Sequence, residues 1–308
     1  LNYVYFHAGR DALSWGPSPF ANLALSKTSK PYEYLRIDIP FAGKGMFTWM
    51  TGFLEERNFS KDISVEEKRK LITAHRAEFQ FFPWFMFALY ESVIYSQRFE
   101  FGYLNPFTLY YVSEVRLGDY DNKLGGADFV FRFPKVKFYI SLFVDDWDFA
   151  YAFDFMYFKN ELGALFGLEL ADVVPNFTLY AEYAYMSHWM YTHRSDIEGH
   201  ASNSYTHWDS HLGHPLEPNS HMFQMELAYS PTVEWRTGLT FWVVGDSWGD
   251  IDTPPKVPGV DGYNWDLDGN YTDWNDYYNY IDYGIDGITP EINFDIGIFG
   301  EYHIPYFG

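Results

Sequence analysis

Apolar and polar residues alternate one by one along much of the chain. Between Tyr34 and Phe41, the residues Tyr34, Arg36 and Asp38 interleave with Leu35, Ile37, Ile39 and Phe41. Arg76, Glu78 and Gln80 interleave with Ala77, Phe79 and Phe81, and Asp128 and Arg132 with Phe129, Phe131 and Phe133. The pattern continues with Lys137, Tyr139 and Ser141 against Phe138, Ile140 and Leu142, and again over 177–183 and 223–229. Near the end, Glu234, Arg236 and Thr240 face away from Trp235, Leu239 and Phe241, as Glu291, Asn293 and Asp295 do from Ile292, Phe294 and Ile296. Successive strand side chains point to opposite faces, so these runs predict β-strands with one wet and one apolar face.

Run length then separates two kinds of strand. The runs reach eight to twelve residues, whereas strands of soluble proteins are usually about 5–6 residues long and membrane-crossing strands need about 9–11. Tyr151 and Tyr157 flank Phe153 and Phe155, as an interfacial aromatic belt requires. Pro83, Pro175 and Pro231 mark short turns, while the connections at 58–70, 96–106, 187–220 and 245–290 are long. Counted from Tyr34, these two sets fall at opposite ends of the strands, and the turn at Pro134 is the exception. The predicted fold is a transmembrane antiparallel β-barrel of about 14–18 strands. It forms a single domain over 1–308, with loops 187–220 and 245–290 extracellular. Ser64 and Glu67 form a capping box that predicts a short helix over 64–71.

Composition supports this picture. The chain carries 30 Phe, 27 Tyr and 11 Trp in 308 residues, more rings than one soluble core can hide while alternating them with charges. No apolar run of about 18 residues exists, which excludes a transmembrane helix but not a barrel. A net charge of −21 argues against nucleic acid as a partner. The chain holds no cysteine, so disulfides and thiolate chemistry are absent. It opens at Leu1 without an initiator Met or signal-peptide pattern, which is uninformative about export.

Candidate chemistry lies in charges, rings and acidic loops. Arg10, Arg36, Asp38, Arg76, Glu78, Glu91, Arg98, Asp128, Arg132 and Arg236 are expected to form an ion-paired lattice inside the barrel. Lumen-facing positions include more acids than bases, among them Asp154, Glu169, Glu182 and Glu226, so an open pore of this lining would prefer cations. Trp189, Trp208, Trp248, Trp265 and Trp274 could stack on sugar rings, or pack the loops over the barrel mouth. The histidines between His188 and His221 match no zinc spacing and read as a polar surface loop. Asp266, Asp268, Asn270 and Asp273 place oxygen ligands at calcium-loop spacing, but Tyr277 stands where an EF-hand carries Glu; the only cofactor weighed is therefore Ca²⁺ at a looser site. Asp145 and Asp146 are adjacent, so a strand would send them to opposite faces, and no nucleophile elbow occurs. Enzymatic activity is not expected.

One stretch adds a resemblance. Gly9-Arg10-Asp11, Trp15-Gly16-Pro17, Leu23, Leu25-Ser26, Pro31 and Leu35-Arg36 resemble a stretch of the capsule-assembly Wzi family of outer-membrane barrels. Further matches follow in the family's order: 55–57, His75-Arg76, 91–95, Tyr103-Leu104-Asn105-Pro106-Phe107, Asp121-Asn122, Asp145-Asp146, and His211-Leu212-Gly213-His214-Pro215-Leu216-Glu217-Pro218-Asn219. The resemblance implies a bacterial outer-membrane location among lipid, a monomer, and non-catalytic binding and anchoring of surface polysaccharide. The residues alone also allow a porin-type channel for small cationic solutes, for which a trimer is possible, or a structural tether of an outer envelope layer. Whether loops plug the barrel is not legible.

Overall fold

In the computed structural model the described residues are 3–55, 69–96, 98–117, 121–145, 147, 160–187, 190–193, 203–208, 210–246 and 291–303. The strands are β1 (Tyr5–Asp11), β2 (Tyr32–Phe41), β3 (Gly45–Glu55), β4 (Arg69–Phe82), β5 (Phe85–Ser96), β6 (Asn122–Phe133), β7 (Val136–Val144), β8 (Leu162–Ala171) and β9 (Phe177–Met186). The remaining strands are β10 (Thr206–His207), β11 (Ser210–His211), β12 (Ser220–Tyr229), β13 (Trp235–Asp246) and β14 (Glu291–Tyr302), and among the described residues one helix, α1 (Tyr110–Leu117), lies between β5 and β6. Twelve strands form a single up-and-down antiparallel sheet, each paired to its neighbour in chain order, while β10 and β11 form a separate ribbon. β1 and β14 stand at the two ends of the sheet, and no pairing joins them among the described residues. The architecture is that of an antiparallel β-barrel wall.

The alternation read from the sequence is the alternation of the wall. Every run named above lies in a strand, with Glu234 falling in the turn just before β13. The short turns at 42–44, 83–84, 134–135, 172–176 and 230–234 all lie at one end. Pro134 is therefore no exception. The segment after β5 carries α1, and β5 pairs directly with β6, so among the described residues no strand intervenes to shift the count. At the short-turn end Lys135, Asp172 and Asn176 adopt φ values of 66°, 55° and 68°, and the Asn176 N–H donates to Asp172 Oδ1 at 2.9 Å. That bond holds the Asp172 carboxyl below its usual range.

The helix expected over 64–71 meets the described structure only at its last residues, and there Arg69, Lys70 and Leu71 are the first residues of β4. Residues 64–68, and the ring pattern at 151–157, lie outside the described residues.

The apolar face looks outward. Leu35, Phe53, Leu89, Phe166, Tyr183, Leu239, Phe294 and Ile298 are among its exposed side chains. An aromatic belt rings the short-turn end: Phe82 stacks on Trp84, Trp84 on Phe133, and Phe131 on Phe138, with Phe177–Tyr229 and Trp235–Tyr302 further round. Amphipathic rings at one height are what a membrane interface selects.

Two cores lie on opposite sides of this wall. On the concave side Tyr32, Met50, Ile72, Ala74, Tyr90, Leu124, Phe143, Leu165 and Met186 pack around loop residues Leu13, Trp15, Leu23, Leu25, Tyr191, Tyr205 and Leu212. On the outer side Leu71, Val93 and Tyr95 pack with Tyr103 and Tyr110.

Candidate functional site: loops packed inside the barrel

The connection 12–31 turns inward from the long-loop end. Its ordering is local at first: Trp15 N–H donates to the Leu25 carbonyl at 2.9 Å, closing a narrow ribbon. Gly16 sits at φ 143°, where a Cβ would lie 2.2 Å from Asn22 Oδ1, so only glycine fits. The Asn22 amide group in turn donates to Ser14 Oγ at 3.1 Å. Trp15, Leu23, Ala24 and Leu25 are thereby buried on the concave side of the wall.

A second stretch locks onto the first. Ser26 N–H donates to the Leu212 carbonyl at 2.8 Å, and the Tyr191 hydroxyl donates to the Leu23 carbonyl at 2.6 Å while accepting from the His214 N–H at 3.2 Å. Gly213 packs so closely that a Cβ there would lie 2.0 Å from the Leu23 carbonyl oxygen. Tyr191 N–H is held by Asp145 Oδ2 at 3.0 Å. Lys70, at the start of β4, donates to the Ser204 carbonyl and to Thr206 Oγ1, both at 3.0 Å. Residues 13–26 and 211–216, from two motif stretches far apart in sequence, thus meet on the concave side of the wall at its long-loop end.

Two of the histidines between His188 and His221, namely His211 and His214, belong to this plug. His211 and His214 are buried, with His211 Nδ1 3.1 Å from the His214 carbonyl oxygen and the Leu216 N–H donating to His214 Nδ1 at 3.1 Å. Burial pushes their pKa values down to about 4 and about 3, so both are neutral. The reading of these two as surface-loop residues is corrected: their polar edges are used to terminate a buried turn. Burial also raises the Tyr191 and Tyr205 hydroxyls above their usual range.

Below the plug, on the same concave face, lies the charge lattice. Asp38 accepts from Arg36 Nε at 2.9 Å and from Thr48 Oγ1 at 2.7 Å, and His7 Nε2 lies 3.2 Å from its other oxygen. Arg76 bridges Asp128 at 2.6 Å and Glu78 at 3.3 Å, and the Tyr90 hydroxyl donates to Asp128 at 3.1 Å. Glu182 accepts from Tyr139 and from Gln224, Lys137 pairs with Glu169 at 3.4 Å, and Arg236 pairs with Glu226. The plug rests on this layer: Lys137 Nζ donates to the Pro17 carbonyl at 3.1 Å, and Phe20 meets Tyr180 edge to face. Arg76 and Asp128 are both buried, where a charge survives only with its partner in place.

Three of the ten charges expected in this lattice lie elsewhere. Arg10 pairs with Glu33 across the outer parity of β1 and β2, 3.6 Å apart and well exposed. Glu91 is opposite His75 on the outer face, 3.2 Å from its Nε2. Arg98 lies beyond β5 and binds Asp121 in the outer loop. Arg132 does face inward, opposite Lys137, but forms no ion pair among the described residues. Tyr90, Thr48 and His7 join the lattice without being charged residues of an alternating run. Strand parity alone marks Tyr90, because it is directly opposite Arg76.

Of the candidate stacking rings, Trp208 is described: it is 40% exposed at the long-loop end, beside β10, with its backbone N–H donating to the Glu55 carbonyl at 2.7 Å. Trp189, Trp248, Trp265, Trp274 and the acidic loop with Asp266, Asp268, Asn270 and Asp273 lie outside the described residues. Among the described residues no group of three or more acidic or histidine side chains is placed to hold a metal ion.

The comparisons agree with this geometry. The family profile described as capsule assembly protein Wzi matches residues 2–235. No curated protein matches the chain. Among solved structures, Wzi of Escherichia coli, described as an outer-membrane, carbohydrate-binding β-barrel involved in group 1 capsule assembly, aligns with a TM-score of 0.55 at 13% identity. The alignment covers 79% of this chain and 54% of that one, so this chain spans about half the length of that protein. The toluene transporter TodX of P. putida aligns at a TM-score of only 0.27, with 10% identity over 78% of this chain and 71% of that one, and bears no weight for the fold. With a profile match over most of its length and the barrel wall in common, the chain belongs to the capsule assembly protein Wzi family.

Proposed function

We propose that this chain is a non-catalytic outer-membrane barrel that binds and anchors surface polysaccharide at its long-loop end. The observation that carries the reading is the plug: the two motif stretches occupy the concave side of the wall and leave the loop surface as the face available to a polymer. The related E. coli barrel is described as carbohydrate-binding, and lipid on the outer wall is supported by the exposed apolar face and the aromatic belt. Loops packed against the inner wall disfavour the cation-channel alternative, whose acidic lining lies beneath them. The tether reading uses the same surface with a different ligand. A single domain over 1–308 with loops 187–220 and 245–290 outside the cell, a monomeric state, and a Ca²⁺ site at Asp266, Asp268, Asn270 and Asp273 complete the proposal.

Trp208 is the described ring placed to stack on a sugar, since flat apolar faces with polar rims suit carbohydrate. Purified capsular polysaccharide should bind the reconstituted barrel, and Trp208→Ala should weaken that binding roughly tenfold, as loss of about 1.4 kcal/mol would, with unchanged thermal stability. Absence of binding by the unaltered barrel to capsular polysaccharide, together with binding to another envelope polymer, would replace anchoring of capsule by the tether reading.

A further inference from the structure

The outer wall carries an anomaly. His75 and Glu91 sit on the lipid-facing parity of β4 and β5, in the cross-strand row Ile37, Trp49, His75, Glu91 and Gly125. Along β5 the outward residues run Phe85, Phe87, Leu89, Glu91, and Phe85 belongs to the aromatic belt through its contact with Phe131. Six residues of strand rise about 20 Å, or about 15 Å of height at a tilt of about 40°, which is inside an apolar band about 25 Å tall. An ionisable pair facing hydrocarbon at that height is costly.

The segment 98–117 covers it. Its base is clamped by Asp121, which binds Arg98 and accepts from the Tyr103 hydroxyl at 2.7 Å. Burial raises the pKa of the Asp121 carboxyl, against these two partners. From there the segment lies flat on the wall. Tyr103 packs on Tyr95 with ring centroids 5.0 Å apart, Tyr110 lies 4.6 Å from the His75 ring, and Phe107 stacks on Phe47 at 5.4 Å. The Tyr111 N–H donates to Glu91 Oε1 at 2.9 Å. Beneath it Trp49, Thr51, Thr73 and Val93 are buried although their parity is outward.

The opposite side of the segment is greasy. Phe99, Phe101, Phe107, Leu109, Tyr111 and Val112 are exposed, Phe101 by 78% and Phe107 by 73%. Lys123, on the outer face of β6, reaches its ammonium to 5.1 Å from the Tyr111 ring, as a side chain snorkelling toward headgroups does.

We propose that residues 98–117 form an outer flap immersed in the outer leaflet, with its exposed rings docked among lipid acyl chains. The occupant follows from continuity. Phe107 rests on Phe47 in the same outward row as Leu89, which itself is exposed to the bilayer side, so the flap extends the lipid-facing surface and shields the polar patch beneath it. The proposal rests on the membrane reading of the wall, and its test separates the two.

The chain has no native cysteine, so single substitutions give unique spin-label sites. In vesicles of phosphatidylcholine and phosphatidylglycerol, labels at Phe101→Cys and Phe107→Cys should collide with oxygen and be shielded from a water-soluble nickel chelate. They should match Phe166→Cys on β8 and differ at least severalfold in that ratio from Lys27→Cys in the inward loop. If Phe166→Cys reads as lipid-exposed while both flap sites read as aqueous, the flap proposal is wrong and the barrel stands. If Phe166→Cys also reads as aqueous, the membrane assignment itself falls and the flap with it.

Discussion

Two connections leave the same end of the sheet and finish on opposite sides of it. Residues 12–31 turn inward, satisfy their backbone groups against 191 and 211–216, and bury Trp15, Leu23 and Leu25 around a shared set of hydrogen bonds. Residues 98–117 turn outward, cover two ionisable side chains and leave six large apolar side chains uncovered. The difference lies in what each loop must satisfy. The inward loop is rich in residues that fix a backbone at close quarters, with Gly16 and the partnering Gly213 admitting no side chain. The outward loop ties its backbone into successive tight turns, with Tyr103, Leu104, Thr108 and Ser113 N–H donating to the carbonyls of Glu100, Phe101, Asn105 and Leu109, as a segment lying against lipid must, and it leaves its rings exposed.

The contrast predicts unequal costs of truncation. Trp15→Ala should remove about 3–5 kcal/mol of unfolding free energy, as deletion of a large buried ring does, measured by denaturant unfolding of the detergent-solubilised barrel. A loss below about 1 kcal/mol would mean the inward loop is not packed as a core.

Acid should loosen the inward loop next. His211 and His214 are neutral in the fold, with values near 4 and 3, whereas in the unfolded chain each takes up a proton below about 6.5. The unfolded state therefore binds more protons, and stability that is complete above pH 6.5 is lost as the pH falls toward 4. Each histidine should cost about 2 kcal/mol at pH 5 relative to pH 8. Glu217 Oε2, 3.8 Å from His211 Nε2, is the nearest carboxylate and would soften that loss. An unfolding free energy that stays flat from pH 8 to 5 would show that these side chains are hydrated.

The smallest effect belongs to the flap. Phe101→Ala should change stability in detergent by less than about 0.5 kcal/mol, because the ring touches solvent rather than core. A loss comparable to that of Trp15→Ala would place the ring in a packed contact.

How much of this could be read from the chain depends on which rule governs each part. Period-2 alternation fixes the wall and its two faces, because a one-residue slip would move Phe166 inward and Glu182 into lipid. It also contains a warning in His75-Arg76: neighbouring polar residues on a strand must point to opposite sides, so one of them had to face outward. Which of Arg76 and His75 faces inward follows from the row through Thr48 and Tyr90. The outward side of Glu91 is not legible, because Ser92, Val93, Ile94 and Tyr95 beside it give no clear parity. The plug was not legible. Both motif stretches read as loops, and no periodicity tells which side of a wall a loop will take, since that choice rests on contacts such as Ser26 with Leu212 that span the sequence.

The most direct test of the account is the conductance of the unaltered protein in a planar bilayer. With 12–31, 190–193 and 210–216 packed against the inner wall, insertion should give no stable current steps at neutral pH. Sustained, cation-selective steps from the unaltered protein would contradict the plugged barrel and restore the channel reading.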